Sequence, residues 1–543
     1  MLTAEQRRKS VWVIFTVFLR SALDFAGVAA LVPVIFMLAD KVGNDKKLTL
    51  LLCGAVVLFV VLKNGLILIL AHRQINFQLG LFRDMSRRMF INYYRRGMMF
   101  LKKKSSVQLA YEVNGIAMTF SHYVLASLFS ILGDGMLVIM MFLALVIWKP
   151  LMGLMICVLF IPLILVYAGV VKRKVRRLGT ESLKAQRAQS RTVVEAFRGY
   201  AELEIANAFQ TSLETYDRNM RIIERNRRSI DVYQMFPYFL SELAVVAGLI
   251  ILVAFGGNNL MVTGGVFAVA AFRIIPAVRS GMNSWSIFQN NAFAIDVVRD
   301  GIKDDDLSAQ ESANTHELTF SNGLEAKNVA FAFPDGSKLF EHVDFKIDQG
   351  ERIGIKGRSG AGKSTLFNLM LGFLKPTEGS ITIDGINLDE STRKSWHSIV
   401  GYVPQEIFII DGTLAENIAL GHKEIDRPKV LKVLKQVQLD SWAEDLENGL
   451  DTNLGEYGSR LSGGQKQRIG IARALYKGAR VLFFDEATSS LDSATEKEIN
   501  LALKDLSENY HELTMVIIAH RESSLEFCNR IITLGECPSK TIT

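Results

Sequence analysis

Long apolar runs separated by strongly polar stretches fill the first 300 residues. The runs cover roughly 11–38, 48–71, 122–148, 151–171, 232–255 and 262–284. Each approaches or exceeds the ~20 residues that a helix needs to cross the hydrocarbon layer, so they predict six transmembrane helices. Lys149-Pro150 separates the third from the fourth as a tight hairpin, and Gly256-Gly257-Asn258-Asn259 separates the fifth from the sixth as an uncharged turn. The polar stretch 172–231 is rich in Ala, Leu, Glu and Arg and contains no proline. It predicts helix running out of the membrane and back. Within it, Phe197, Tyr200, Leu203, Ile205, Ala206 and Phe209 supply an apolar face suited to docking on another domain. After about residue 300 the pattern changes. Residues 301–323 are largely polar and predict a linker. Leu324–Phe333, Phe340–Ile347 and Arg352–Ile355 then predict strands, and Thr365–Leu374 predicts an apolar helix.

Charge supports this division. The 543-residue chain carries 62 Lys+Arg against 55 Asp+Glu, a net of +7, with 49% hydrophobic residues. Residues 1–300 hold 35 basic against 18 acidic residues, and the remainder holds 27 against 37. A basic chain suggests a nucleic-acid binder. Here the positive charge adjoins apolar runs instead, so no nucleic-acid partner is expected. Segment 72–121 has nine Lys/Arg and segment 172–231 has fourteen. The other connections hold only Lys41, Lys46, Lys47 and Lys149. The positive-inside rule therefore places both long loops and both termini in the cytoplasm and three short turns outside. Arg7-Arg8-Lys9 precedes an apolar run too long for a signal-peptide core, which predicts a retained first span. Cys53, Cys157, Cys528 and Cys537 form neither a disulfide framework nor a metal spacing.

Seven ionisable residues fall in the predicted spans: Arg20, Asp24, Lys63, Asp134, Glu242, Arg273 and Arg279. Each costs about 2.5–3.5 kcal/mol at a bilayer centre, so each should face a partner or a water-filled path. Arg20 and Asp24 stand four apart and can neutralise each other. Lys63 and Arg279 lie near the cytoplasmic ends, where they can snorkel. Glu242 and Arg273 are singled out for a polar substrate path, with a fixed ion pair between them as the alternative. Pro33, Pro162, Pro237 and Pro276 permit kinks.

Three motifs carry chemistry. Gly357-Arg358-Ser359-Gly360-Ala361-Gly362-Lys363-Ser364, followed by Thr365, fits G-x-x-x-x-G-K-[ST] between a strand and a helix. Glycines let backbone N–H groups turn toward phosphates, Lys363 reaches the β and γ phosphates, and the Ser364 hydroxyl suits Mg²⁺. Val481–Phe484 is an apolar strand ending in Asp485-Glu486. Asp485 suits Mg²⁺, and Glu486 suits a base for an attacking water. Ser462-Gly463-Gly464-Gln465 opens a helix and makes a second anion site.

Together these motifs resemble the nucleotide-binding domain of ABC transporters over about 324–534. The resemblance makes Ser462–Gln465 the signature sequence, Gln405 the Q-loop glutamine and a Mg²⁺ ligand, and Asp492 the D-loop aspartate. It makes His520 the switch histidine and Phe333 the adenine-stacking aromatic, where the family more often has Tyr. Glu456 resembles the exporter X-loop glutamate. Six spans followed by this domain resemble an exporter-type half-transporter. The implied fold is an all-α six-helix transmembrane domain (1–300), a linker (301–323) and an α/β P-loop NTPase domain (324–543). The implied cofactors are ATP and Mg²⁺. In this family each ATP lies between the P-loop of one domain and the signature of another, so a second identical half-transporter is the expected partner, with a heterodimer left open. The implied activity is ATP-driven export or flipping across a bacterial inner membrane. Phe272–Pro276 and Leu23–Val28 are similar to flippases of lipid-linked oligosaccharides, which favours an amphipathic or lipid-linked substrate. Drug, lipid or peptide export is the alternative, and a non-transporting membrane ATPase stands behind it. No peptidase domain is expected at the N-terminus, which disfavours a peptide-processing exporter.

Overall fold

The computed structural model describes residues 3–32, 46–148, 150–255, 260–303, 317–333, 336–358, 360–486, 493–519 and 521–534. Contacts divide the chain into two compact units, 1–305 and 306–543.

The first unit is helical. Its long helices are α1 (Ala4–Ala29), α2 (Lys46–Arg95), α3 (Ala126–Trp148), α4 (Pro150–Arg198), α5 (Phe209–Phe255) and α6 (Leu260–Asn291). At 1.5 Å per residue, the 50 residues of α2 reach about 75 Å, more than twice the ~30 Å hydrocarbon thickness. α4 and α5 have 49 and 47 residues. They too run through the basic segment into the polar region, as the sequence predicts. Among the described residues, four helical stretches are long and apolar enough to cross a membrane: Ala4–Ala29, Leu50–Arg95, Ser106–Trp148 and Phe209–Ile250. The predicted spans 151–171 and 262–284 fall in α4 and α6, and many side chains there lie outside the described residues. Pro162, Pro237 and Pro276 each sit inside an unbroken helix, whereas Pro33 lies outside the described residues.

Small residues set the close approaches in this unit. A Cβ on Gly153 of α4 would meet Val146 Cγ2 of α3 at 2.6 Å, which lets the hairpin close with a single residue between the helices. Ser21 of α1 donates to the Gly133 carbonyl of α3 at 2.8 Å, and Trp285 of α6 to Ala168 of α4 at 3.1 Å. Leu137, Met141, Ala270 and Ala277 form one buried cluster, with Phe25 and Val28 packed against it. Two π-helical turns, Glu112–Ile116 and Phe120–Leu125, precede α3. Glu112, 3% exposed, there gathers Tyr93, Lys104, Gln108 and Arg187.

The second unit holds two sheets. β1 (Gly323–Ala332), β2 (Lys338–Asp348), β4 (Glu378–Ile383) and β5 (Ile386–Asn387) form an antiparallel sheet in the order β2-β1-β4-β5. β3 (Arg352–Gly357), β6 (Val400–Val403), β7 (Val481–Asp485), β8 (Thr514–Ile518) and β9 (Arg530–Leu534) form a parallel sheet in the order β6-β7-β8-β3-β9. The near-continuous apolar runs of β7 and β8 follow from burial on both faces. The main helices of this unit are α7 (Lys363–Met370), α8 (Arg393–Ile399), α9 (Leu414–Ile418), α10 (Arg427–Gln436), α11 (Gly463–Lys477) and α12 (Ser493–Asn509).

Two details differ from the sequence reading. α7 stops at Met370 rather than Leu374, because Gly372 turns left-handed (φ +71°) and the Phe373 and Leu374 amides both bond the Asn368 carbonyl. Residues 318–323, the end of the predicted linker, already pack on the second unit. Leu318 and Phe320 are buried in its core, and Asp384 receives the amides of Ser321, Asn322 and Gly323 at 2.8–2.9 Å. Burial opposes the Asp384 charge, but these bonds and the Thr319 hydroxyl outweigh it and hold the carboxyl below its usual range.

Candidate nucleotide site and intramembrane charge cluster

β3 and β7 both register on β8: Ile355 and Asp485 each pair with Ile518. Their carboxyl ends therefore emerge side by side, where ligands bind in open parallel sheets. Past β3 the chain turns through Gly360 (φ +80°) and Gly362 (φ +92°), conformations that glycine adopts without strain. A Cβ on Gly362 would meet Leu339 Cδ2 at 2.9 Å, so the loop lies against β2. Lys363 opens α7, is 5% exposed, and donates to the carbonyls of Gly357 (2.8 Å) and Arg358 (3.2 Å). These bonds curl its ammonium back over the loop. Ser359 lies outside the described residues. Thr365 follows Ser364 in the first turn of α7.

Ser364 Oγ reaches Asp485 Oδ1 at 3.4 Å, and the Tyr402 hydroxyl reaches Oδ2 at 3.5 Å. Burial and the adjacent Glu486 charge push the Asp485 carboxyl up, against the two hydroxyls and Lys363, which lower it. A half-buried, charge-crowded carboxylate flanked by a hydroxyl is a donor set suited to a hard cation. Glu486 ends the strand in left-handed backbone (φ +50°), with its amide bonded to the Ile518 carbonyl at 3.0 Å. Such backbone costs a side-chain-bearing residue about 1–2 kcal/mol and is concentrated at functional sites.

The signature is placed by a different framework. Ser462 caps α11 and forms a reciprocal capping box with Gln465 (2.8 and 3.2 Å). Ser462 and Gly463 are exposed and Gly464 is buried. One turn on, Gln467 donates to the Gln405 carbonyl at 2.9 Å, tying the exposed Gln405 loop to α11. Phe333 falls just past β1, half-buried and edge-on to Phe331 at 5.3 Å. Glu456 opens a short 3-10 turn. Asp492 and His520 lie outside the described residues.

Sequence reasoning missed two residues at this site. Tyr402 touches Asp485 through β6–β7 pairing, which no spacing announces. Glu496 of α12, 4% exposed, gathers Arg521, Ser523 Oγ (2.9 Å) and Ser524 Oγ (3.0 Å) immediately after position 520. Burial opposes its charge, but these bonds prevail and hold its carboxyl below the usual range.

The intramembrane charges pair differently from expectation. Asp24 of α1 binds Lys63 of α2 at 3.0 Å and Arg273 of α6 at 2.5 Å. Neither an Arg20–Asp24 pair nor a Glu242–Arg273 pair forms among the described residues, and Glu242 is exposed. Tertiary packing brings three helices to one carboxylate, a closure that sequence spacing cannot register. Lys63 therefore ends in this pair, and no snorkelling is needed to neutralise it. Asp134 of α3 bonds Ser280 and feels the charges of Arg20, Arg273 and Asp24. Two polar atoms here, Asp134 Oδ2 and Arg273 Nε, are buried without a hydrogen-bond partner among the described residues. Arg279 lies 4.4 Å from the Tyr238 ring centroid, a cation–π contact.

Residues 340–489 match the ABC transporter family model. The chain is 30% identical over 386 residues to an ATP-dependent lipid A-core flippase of Francisella novicida, a match taking in 69% of this chain. It is 30% identical over 389 residues to a protein of the same name from Burkholderia pseudomallei, taking in 70% of this chain. The chain spans 64% of the length of each of these relatives. Its fold matches a bacterial Atm1-family ABC exporter with ATP bound at a TM-score of 0.79 and 23% identity, covering 98% of this chain and 94% of that one. The second unit thus contains an ABC transporter domain, and the whole chain is an integral membrane protein with the fold of an ABC exporter.

Proposed function

We propose that this protein is an ATP-driven exporter or flippase that moves an amphipathic, lipid-linked substrate outward by alternating access. One observation carries the cargo class: α1, α3 and α6 hold a charged cluster and an apolar cavity in succession. The cluster is Asp24, Asp134 and Arg273, with its two orphan polar atoms. The cavity, about 210 Å³, is lined by Phe25 and Val28 of α1, Met141 and Leu145 of α3, and Ala270 of α6. On each helix the cavity residues lie on the outward side of the charge, with the termini and basic loops in the cytoplasm of a bacterial inner membrane. A polar headgroup with an acyl or prenyl tail fits that order, and the relatives' printed name supports a lipid cargo.

The nucleotide roles rest on the motif resemblance, and the positions of Lys363, Ser364 and Asp485 support them. Backbone amides of 357–365 and the Lys363 ammonium hold the triphosphate, and Phe333 stacks on the adenine. Ser364, Asp485 and Gln405 supply the oxygens that would hold Mg²⁺, which when bound neutralises phosphate charge. Glu486 takes the proton of the attacking water, with His520 and Asp492 completing the site. The Ser462–Gln465 turn, exposed at Ser462 and Gly463, caps the nucleotide of a second copy, so the working unit is a homodimer. ATP drives the cycle only by binding the closed dimer more tightly than the open one.

The test is transport in proteoliposomes, with phosphorylated glycolipid, pyrophosphate-linked lipid, drug and peptide cargoes offered to wild type and Arg273→Ala. The lipid-linked cargoes should stimulate ATP hydrolysis and move against a gradient, and Arg273→Ala should lose both effects while still binding ATP. If neither lipid class stimulates or moves, the flippase reading fails. Movement of drugs or peptides instead selects the alternative, and hydrolysis without any movement selects a non-transporting ATPase.

A further inference from the structure

A second cleft, about 950 Å³, opens between the start of α1 and the stretch of α2 just beyond its apolar run. It straddles the level at which both helices change from polar to apolar. Trp12 and Phe77 line its apolar part, and Arg8, Arg73 and Arg83 line its polar part. Its acids are already engaged. Glu5 pairs with Lys9 at 2.6 Å, and Asp84 takes Gln6 at 2.8 Å and Arg88 at 3.6 Å. Arg8, Arg73 and Arg83 have no ion pair or hydrogen bond among the described residues. Three guanidinium groups without a partner among the described residues therefore line a cleft to which each helix also contributes one aromatic side chain, Trp12 and Phe77.

We infer that this cleft binds the headgroup of an anionic phospholipid from the cytoplasmic leaflet. Guanidinium forks match phosphate oxygens, and Trp is suited to the interfacial boundary. A diester phosphate would meet the arginines while its glycerol and first methylenes lie along Trp12 and Phe77. The inference rests on the membrane orientation proposed above, but not on the exported cargo. The site lies apart from the Asp24–Arg273 cluster, so occupancy here and cargo movement are separable.

The experiment uses the full-length protein in nanodiscs of phosphatidylcholine with a trace of fluorescent phosphatidylglycerol. The triple variant Arg8→Gln/Arg73→Gln/Arg83→Gln is compared with wild type and with a charge-matched control, Arg177→Gln/Arg191→Gln/Arg227→Gln, whose arginines are exposed and paired within single helices. Wild type and control should bind phosphatidylglycerol alike, and the triple variant should bind it about tenfold or more weakly, given the per-residue attraction of basic side chains to anionic lipid. Binding of an ATP analogue should be equal in all three, which separates loss of this site from misfolding and from failure of the nucleotide reading. Equal phosphatidylglycerol affinity in triple variant and wild type overturns the proposal. So does an equal loss in the control, or displacement of the lipid by millimolar inorganic phosphate, which would make the cleft a free-anion site.

Discussion

Replacing Asp24 with Asn removes the one carboxylate that α1, α2 and α6 share. The Asp24 and Lys63 side chains are 13% and 11% exposed and 3.0 Å apart. Removing one partner of such a buried pair costs about 3–5 kcal/mol, because the other charge is left uncompensated. Arg273 is 35% exposed, and solvent screens most of its share, so it adds little to that figure. The expected loss is thus about 3 kcal/mol of unfolding free energy, read by denaturing-detergent titration of the purified protein. Adding Lys63→Met removes the stranded ammonium and should restore most of the loss. Glu242→Gln breaks no ion pair among the described residues and should not lower stability. If Asp24→Asn unfolds within about 0.5 kcal/mol of wild type, or Glu242→Gln proves as costly, this cluster does not hold the three helices together.

Three further expectations concern the second unit. Gly362→Ala combines left-handed strain of about 1–2 kcal/mol with overpacking of about 1–3 kcal/mol against Leu339, whereas Gly360→Ala meets nothing within 4 Å and should lose only the strain; thermal melts of the two separate the terms. Glu496→Gln gives up the charged bond to Arg521 and should cost about 1.5–3 kcal/mol. Because the Glu496 pKa is lowered in the fold, that stabilisation is fully present above the ordinary glutamate range and drains as pH falls through the folded value, so wild type and variant should converge in acid. Asp485 has the opposite sign. Its raised pKa favours the protonated fold, so its contribution is present below the ordinary aspartate range and lost as pH rises through the folded value. Nucleotide-free Asp485→Asn should therefore melt above wild type near neutral pH and alike in acid, while losing Mg²⁺-dependent ATP hydrolysis.

The placement of the candidate nucleotide site was legible because its motifs are local. A glycine loop between strand and helix, two carboxylates ending an apolar strand, and Ser-Gly-Gly before a helix each declare themselves within eight residues. The lengths of α4 and α5 were legible too, since the proline-free segment 172–231 extends both apolar runs, whereas the continuation of α2 to Arg95 was not read from the sequence. What stayed hidden depends on closure. Tyr402 meets Asp485 only because β6 pairs with β7, and Asp24 meets Lys63 and Arg273 only because three helices converge. The pairing Arg20–Asp24 was suggested by spacing of four on one helix, yet a carboxylate takes whichever cations packing delivers. The end of α7 was misread because an apolar run continues past Gly372, where backbone geometry, not hydrophobicity, decides.

Closure of two copies over ATP and their opening by hydrolysis through Glu486, as proposed above, meet in a single experiment. The direct measurement is Glu486→Gln incubated with Mg²⁺ and ATP, followed by the mass of the purified species and its nucleotide content. The variant should show no hydrolysis and form a stable species of two chains that retains one ATP per chain. Turnover at the wild-type rate, or ATP retained on single chains, would contradict the proposal.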